Sequence, residues 1–123
     1  MMDVLVDSSV WIAHFRSRNE ALVDLLGHDR VLIHPMILGE LACGTPPDRV
    51  RTLADLSSLR HGQQASLSEA LDFIERHQLY GLGCGLIDMF LLASTLMSKA
   101  TLWTLDKRLA KLAGQFGVLH TTQ

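Results

Sequence analysis

The sequence has few cysteines, no long hydrophobic run and no excess of positive charge. Its two cysteines, Cys43 and Cys84, form no C-x-x-C pair, so we expect no disulfide scaffold and a reducing cytoplasmic environment. The most apolar stretch, from Leu86 to Met97, is too short to span a bilayer and contains Asp88, so no membrane association is expected. The formal net charge of −2 argues against binding of a polyanion through bulk positive charge.

Several motifs of known chemistry are also missing. The six histidines show no His-x-x-x-His or Cys/His spacing, which argues against a zinc site. No G-x-x-x-x-G-K phosphate loop, nucleophile elbow or dinucleotide fingerprint occurs. No repeat or low-complexity segment divides the 123 residues, which are 48% apolar and 20% charged. We therefore expect a single globular domain over residues 1–123.

Short apolar runs alternate with helical patterns along the chain. The runs at 4–6, 31–33, 101–104 and 118–120 are rich in β-favouring residues. Helices are predicted after Ser8 and Ser9, which can cap the first one, and then over 20–26, 35–43, 48–59, 68–77, 86–98 and 106–113. Strands that are apolar along their whole length indicate a parallel sheet covered on both faces. The pattern thus predicts an α/β fold, a three-layer α/β/α sandwich with a central, mainly parallel sheet of four to five strands.

Four acidic side chains occupy positions that suggest a shared site. Asp7 and Asp106 each follow a predicted strand, at the sheet edge where functional residues gather. Glu40 and Asp88 have apolar helical neighbours, where an unpaired carboxylate is costly. For each residue alone a structural explanation stays open: Asp7 and Asp106 suit a helix N-cap, and Asp88 suits the first turn of a helix.

The combination of the four carboxylates indicates a bound cation. Packed at one rim of the sheet they would repel each other, and Mg²⁺ or Mn²⁺ relieves that repulsion because hard cations prefer carboxylate and water oxygens. Such an ion can activate water and stabilise charge on a phosphoryl group. Ser8, Ser9 and Thr104 flank the predicted site, where their hydroxyls can orient a carboxylate or water.

Four stretches together resemble PIN-domain nucleases, and more narrowly the VapC-type toxins of bacterial and archaeal toxin–antitoxin pairs. They are residues 4–12 (VLVDSSVWI), 37–41 (ILGEL), 86–88 (LID) with its leucine-rich continuation, and 101–109 (TLWTLDKRL). Their order and spacing cover almost the whole chain. The resemblance implies a parallel α/β/α sandwich and an Mg²⁺- or Mn²⁺-dependent endoribonuclease that cuts RNA, such as tRNA or rRNA, and inhibits translation. It also implies a homodimer and a cognate antitoxin whose tail occupies the acidic groove.

The acidic positions of that family fall on Asp7, Glu40, Asp88 and Asp106. The resemblance makes Asp7, Asp88 and Asp106 metal ligands, directly or through water, and Glu40 a ligand or a residue that positions water. Attack of water in line on a phosphodiester would leave a 5′-phosphate and a 3′-hydroxyl. Many relatives carry another acid two residues after the last one, where this chain has Arg108. The number of metal ions is therefore left open.

Three basic residues lie on the predicted helix beside Asp106. Lys107 and Lys111 share one face, and Arg108 stands between them in sequence. These side chains are candidates for contact with RNA phosphates, and a solvated helix face explains them equally well.

Two alternative functions have less support from the sequence. Phosphoryl transfer to an aspartate, as in dehalogenase-like domains, normally shows a second Asp two residues after the first, where this chain has Ser9. A catalytically silent PIN-like module that binds protein or RNA is the alternative from a different class. The presence of all four acids argues against that loss of catalysis.

Overall fold

The computed structural model describes residues 2–122, which form a parallel sheet flanked by helices. The strands are β1 (Val4–Val6), β2 (Val31–Leu32) and β3 (Thr101–Trp103), in the order β2-β1-β3. The central strand β1 is fully buried, and both of its neighbours pair with it in parallel. A strand enclosed on both faces needs apolar side chains throughout, which explains the continuous hydrophobic runs in the sequence.

Seven helices are described within residues 2–122. They are α1 (Ser8–Arg16), α2 (Glu20–Gly27), α3 (Pro35–Ala42), α4 (Arg49–Ser57), α5 (Leu67–His77), α6 (Leu86–Met97) and α7 (Lys107–Gln115). The most apolar of them, α6, packs against α3, α5, β1 and β3, and every residue from Met89 to Thr95 is buried. This central position explains why α6 lacks a polar face. None of the helices in the described part of the chain is long and apolar enough to cross a membrane.

The predicted sheet of four to five strands is wrong in strand number, because residues 2–122 contain three. The segment at 118–120 meets β3 at one parallel bridge, between Leu102 and Leu119. Its two hydrogen bonds with β3 both involve Leu102, whose N–H donates to the carbonyl of Val118 and whose carbonyl accepts from the N–H of His120. Gly117, with φ +70°, turns the chain just before this segment, so only the residues around Leu119 run beside β3.

Two predicted helix caps are wrong. The N-cap of α1 is Asp7, and Ser8 and Ser9 lie in its first turn. The N-cap of α5 is Ser66, whose hydroxyl accepts from the N–H of Glu69 at 3.1 Å while the Glu69 carboxylate accepts from the N–H of Ser66 at 2.9 Å. This reciprocal pair is a capping box, which satisfies two backbone donors that the helix itself cannot use.

The register of the sheet determines where the predicted site residues leave it. Val6 pairs with Trp103, and the N–H of Asp7 donates to the carbonyl of Trp103 at 2.9 Å. Asp7, which follows β1, and Thr104, which follows β3, therefore lie side by side at the carboxyl edge of these two parallel strands. α1 and α7 begin from this edge, so their first turns face the same region.

Candidate active site at the carboxyl edge of the sheet

Asp7 is the buried centre of the predicted site, with 7% of its surface exposed. Its Oδ2 accepts hydrogen bonds from Ser9 Oγ at 2.7 Å and from Thr104 Oγ1 at 2.8 Å. A carboxylate removed from water at a strand end requires such donors, because an unpaired buried charge is strongly unfavourable. The prediction that Ser9 and Thr104 flank Asp7 agrees with this geometry.

The hydroxyl of Ser8 connects Asp7 to Glu40. Ser8 Oγ lies 3.0 Å from Glu40 Oε1 and 3.4 Å from Asp7 Oδ1. One hydroxyl carries one proton, so the shorter contact with Glu40 is the better hydrogen bond. Both carboxylates nevertheless lie within reach of the same oxygen, which places Glu40 on α3 close to the start of α1. Glu40 is exposed despite its apolar helical neighbours, and it lines a cavity.

Asp106 joins the site through the same hydroxyl network. Its backbone N–H donates to Thr104 Oγ1 at 3.1 Å, and the N–H of Leu105 donates to Ser9 Oγ at 3.0 Å. As the N-cap of α7, its Oδ1 accepts from the N–H groups of Arg108 and Leu109 at 2.9 and 3.0 Å. The helix-cap explanation is therefore correct for Asp106, and it leaves Oδ2 without a hydrogen-bond donor among residues 2–122.

Asp88 lies in the first turn of α6 and is partly buried. Its Oδ2 accepts from the N–H of Gly85 at 3.1 Å, so the helix-start explanation also holds here. Along the described chain its Oδ1 accepts no hydrogen bond. Asp88 and Asp106 thus each use one oxygen to cap a helix and keep the second oxygen available. A role in capping the helix is therefore compatible with the expected role as a metal ligand.

The ionised forms of two of these carboxylates are disfavoured. Burial raises the pKa of Asp88; the N–H of Gly85 opposes the rise, and the charges of Asp106 and Asp7 add to it. Burial also raises the pKa of Glu40, against the hydrogen bond from Ser8 and together with the charges of Asp7 and Asp88. Asp88 and Glu40 are thus each subject to repulsion from two of the other acids, and no lysine or arginine forms an ion pair with any of the four within residues 2–122.

This donor set fits a hard divalent cation bound partly through water. No three His, Cys, Asp or Glu side chains in residues 2–122 are close enough together to surround an ion directly. Mg²⁺ does not require such a cage, because it usually binds through one or two carboxylates and retains several waters. The available oxygens of Asp88 and Asp106, the buried Asp7 and the mutual repulsion together match that chemistry.

The basic residues of α7 differ in their surroundings. Lys107 and Lys111 are exposed and form no ion pair within the described residues, so the solvated-face explanation remains open for them. Arg108 Nη1 instead donates to the carbonyl of Gly83 at 3.4 Å. The sequence did not indicate this contact.

A cavity of about 390 Å³ adjoins Glu40, and the sequence did not predict it. Its apolar walls come from α1 and α3, through Ile12, Phe15 and Leu41, and Arg16 lines it as well. The loop at 44–47, which contains Pro46 and Pro47, closes one side. The carboxylate site therefore opens into a groove that is apolar on its walls and charged at two points.

Comparisons with known proteins agree with the fold. The family described as PIN domain matches residues 4–115. Two curated proteins named Ribonuclease VapC32, from Mycobacterium tuberculosis strains CDC 1551 / Oshkosh and ATCC 25618 / H37Rv, are each 40% identical over 116 residues, covering 94% of this chain and 94% of theirs.

Two solved structures share the fold at low sequence identity. A chain in the structure of VapBC-1 from nontypeable Haemophilus influenzae aligns with a TM-score of 0.69 at 13% identity, covering 97% of this chain and 96% of that one. PAE2754 from Pyrobaculum aerophilum aligns with a TM-score of 0.59 at 17% identity, covering 94% and 90%. With the family match over most of its length and relatives at 40% identity, this chain belongs to the PIN domain family.

Proposed function

We propose that this chain is a metal-dependent endoribonuclease toxin of the VapC type, acting as one nuclease domain over residues 1–123 in the cytoplasm. The observation that carries the proposal is the carboxylate edge: buried Asp7, held by two hydroxyls, beside Glu40, Asp88 and Asp106. The relatives at 40% identity are named ribonucleases, which supports RNA as the substrate class. The cleaved RNA would be tRNA or rRNA, so that cleavage inhibits translation.

Mg²⁺ or Mn²⁺ would be held by Asp7, Asp88 and Asp106, directly or through water. When bound, the ion would supply positive charge that stabilises the phosphoryl group and favours deprotonation of the attacking water. Ser9 and Thr104 fix the orientation of the Asp7 carboxylate, so that its geometry does not depend on the substrate.

Glu40 would position water on the other side of Asp7. Its contact with Ser8 holds Oε1, and Glu40 also lines the groove. In the proposed reaction water attacks phosphorus in line, the bond to the 3′ oxygen breaks, and that oxygen leaves with a proton. The products are a 5′-phosphate and a 3′-hydroxyl.

RNA needs positive charge to approach a cluster of four acids. Lys107, Arg108 and Lys111 on α7 are the nearest basic residues in sequence to Asp106, and we propose that their field assists phosphate binding. Because the net charge of the chain is −2, this attraction has to be local.

An antitoxin segment would occupy the groove beside Glu40. The apolar walls of Ile12, Phe15 and Leu41 suit the apolar face of an amphipathic segment. A basic side chain on the same segment would reach the carboxylate of Glu40 and an acidic one would meet Arg16. Occupation in this way would block the carboxylate edge and neutralise the enzyme.

A homodimer is the proposed assembly. Leu67 and Leu71 lie one turn apart on α5 and are each about half exposed, at 53% and 52%. Paired apolar side chains on one helix face are typical of a contact surface. We therefore expect Leu71→Glu to shift the protein from dimer to monomer in light scattering, while Val50→Glu, at another exposed apolar position, leaves the assembly unchanged.

The test is cleavage of total cellular RNA with Mg²⁺ or Mn²⁺, comparing wild type with Asp7→Asn and mapping new 5′-phosphate ends. Discrete cuts that require both the metal and Asp7 are the expected result. Asp24→Asn, which removes an exposed carboxylate on α2, is the matched control and should cut like wild type. Ends that carry 2′,3′-cyclic phosphate would contradict the mechanism, and equal products from wild type and Asp7→Asn would favour a silent binding module.

A further inference from the structure

The loop of residues 80–84, called here the glycine loop, joins α5 to α6 close to Asp88. Within residues 2–122 it forms no backbone–backbone hydrogen bond. Its one described hydrogen bond comes from outside the loop, where Arg108 Nη1 on α7 donates to the carbonyl of Gly83. A segment with so few internal bonds depends on such an outside contact for its position.

Arg108 also packs closely against the backbone of Gly83. A Cβ atom placed on Gly83 would lie 2.8 Å from both Cδ and Nη1 of Arg108, closer than side chains approach each other. Gly83 has φ +82°, a conformation that favours glycine. The arginine side chain thus fills the space that any other residue at position 83 would need.

The same arginine contacts both Asp106 and the glycine loop that leads to Asp88. Its backbone N–H donates to Asp106 Oδ1 at 2.9 Å, and its side chain holds the glycine loop. The loop continues into Gly85, whose N–H holds Asp88 Oδ2 at 3.1 Å. A short chain of contacts therefore runs from Asp106 through Arg108 and the loop to Asp88.

We propose that Arg108 is a positioning residue that latches the glycine loop and thereby sets the distance between Asp88 and Asp106. The consequence for metal binding rests on the proposed function, whereas the latch itself does not.

Cys84 provides a native reporter of the latch, because it lies in the glycine loop and is partly buried. In a Cys43→Ser background, which removes the exposed thiol, the rate of Cys84 alkylation by neutral iodoacetamide measures how often the loop opens. We expect Arg108→Ala to raise this rate roughly five-fold, the factor for loss of one net hydrogen bond. Lys107→Ala, one residue away on the same helix, should leave the alkylation rate unchanged.

Losing the charge of Arg108 should slow Cys84 alkylation, whereas opening of the glycine loop should accelerate it. Burial raises the pKa of the Cys84 thiol, as do the charges of Asp88 and Asp106, while Arg108 lowers it. Loss of the arginine charge alone would therefore slow alkylation, so faster alkylation identifies loop opening. Gly83→Ala displaces the same contact from the other side and should also accelerate the reaction. If Cys84 alkylation were unchanged or slower in both variants, the proposed latch would be wrong.

Calorimetric titration with Mn²⁺ and steady-state cleavage test the consequence. Arg108→Ala should bind Mn²⁺ more weakly, and Arg108→Lys should recover part of the affinity. Unchanged Mn²⁺ affinity with a higher, less salt-dependent KM would assign Arg108 to RNA phosphate and overturn the positioning role. If wild type neither binds Mn²⁺ nor cuts RNA, the proposed function fails, and the Cys84 rates still decide the latch.

Discussion

Replacing Glu40 with Gln should stabilise the metal-free protein and reduce RNA cleavage at the same time. Burial raises the pKa of Glu40 above its ordinary value of 4.5, and the charges of Asp7 and Asp88 raise it further, so the ionised form is disfavoured in the folded state. Gln keeps an oxygen that can accept the hydrogen bond from Ser8 and loses only the charge. The variant therefore removes repulsion without opening a cavity.

The magnitude follows from two contributions. Glu40 lies in the last turn of α3, where the helix dipole disfavours a negative charge by about 0.3–1 kcal/mol. Repulsion from the neighbouring acids adds a few tenths of a kcal/mol, a value reduced by solvent because Glu40 is exposed. A gain of about 0.5–1 kcal/mol corresponds to a rise in Tm of roughly 2–4 °C for a domain of this size.

The gain should depend on pH with a defined sign. A raised pKa in the folded state means that folding favours protonated Glu40, so the wild type loses stability as pH rises through that pKa. Below the ordinary value of 4.5, Glu40 is protonated in both the folded and unfolded states and behaves like Gln. The difference in Tm should therefore be near zero at about pH 4 and complete at about pH 7.5.

Thermal denaturation followed by circular dichroism in EDTA measures these differences. Glu75→Gln is the matched control, since it removes the same charge from the last turn of α5 and should gain only the dipole contribution. Added salt should shrink the excess of Glu40→Gln over this control. A Glu40→Gln protein no more stable than the wild type at pH 7.5, or equally stabilised at pH 4, would refute the repulsion argument.

Three further predictions concern the hydroxyl network, the metal and the helix cap. Thr104→Val should lower the free energy of unfolding by about 1–3 kcal/mol in a urea titration, because Asp7 loses a buried donor, whereas Thr104→Ser should lose far less. Mn²⁺ at about 100 times its Kd should stabilise the wild type by about 2.7 kcal/mol, and Asp7→Asn should show a much smaller shift in Tm. Ser66→Ala should cost about 1 kcal/mol by removing the capping box while leaving RNA cleavage per folded molecule unchanged, and a loss of specific activity would contradict that separation.

The carboxylate edge shows how the same atoms can serve the fold and the proposed chemistry. Asp88 and Asp106 each cap a helix with one oxygen and keep the other available. Each cap fixes the direction of a carboxylate that the helix start would otherwise leave mobile. The N-cap explanation for Asp106 and the first-turn explanation for Asp88 were therefore correct, whereas the side chain of Asp7 forms no cap hydrogen bond; each cap is compatible with the proposed site.

Much of the fold was predictable because it depends on local patterns. Continuous apolar runs indicated buried parallel strands, and the helices at 20–26, 35–43 and 86–98 were placed within two residues of their observed ends. The strand predicted at 118–120 was wrong, because a single bridge and a full strand have the same sequence pattern. The N-cap Ser66 was missed because Ser68 offers the same local signal, and only the capping hydrogen bonds distinguish them.

The sequence by itself singled out the four acids of the proposed site, two from their places after apolar strands and two from the apolar residues around them on helices. It could not reveal how they are connected, since Thr104 reaches Asp7 only through the register of β1 and β3, and Ser8 reaches Glu40 only because α1 packs against α3. Likewise, Arg108 and Gly83 are 25 residues apart in sequence, and no periodic pattern links them. Burial is encoded locally through hydropathy, whereas contacts between distant side chains depend on how the elements pack, and that was decided by the tertiary structure alone.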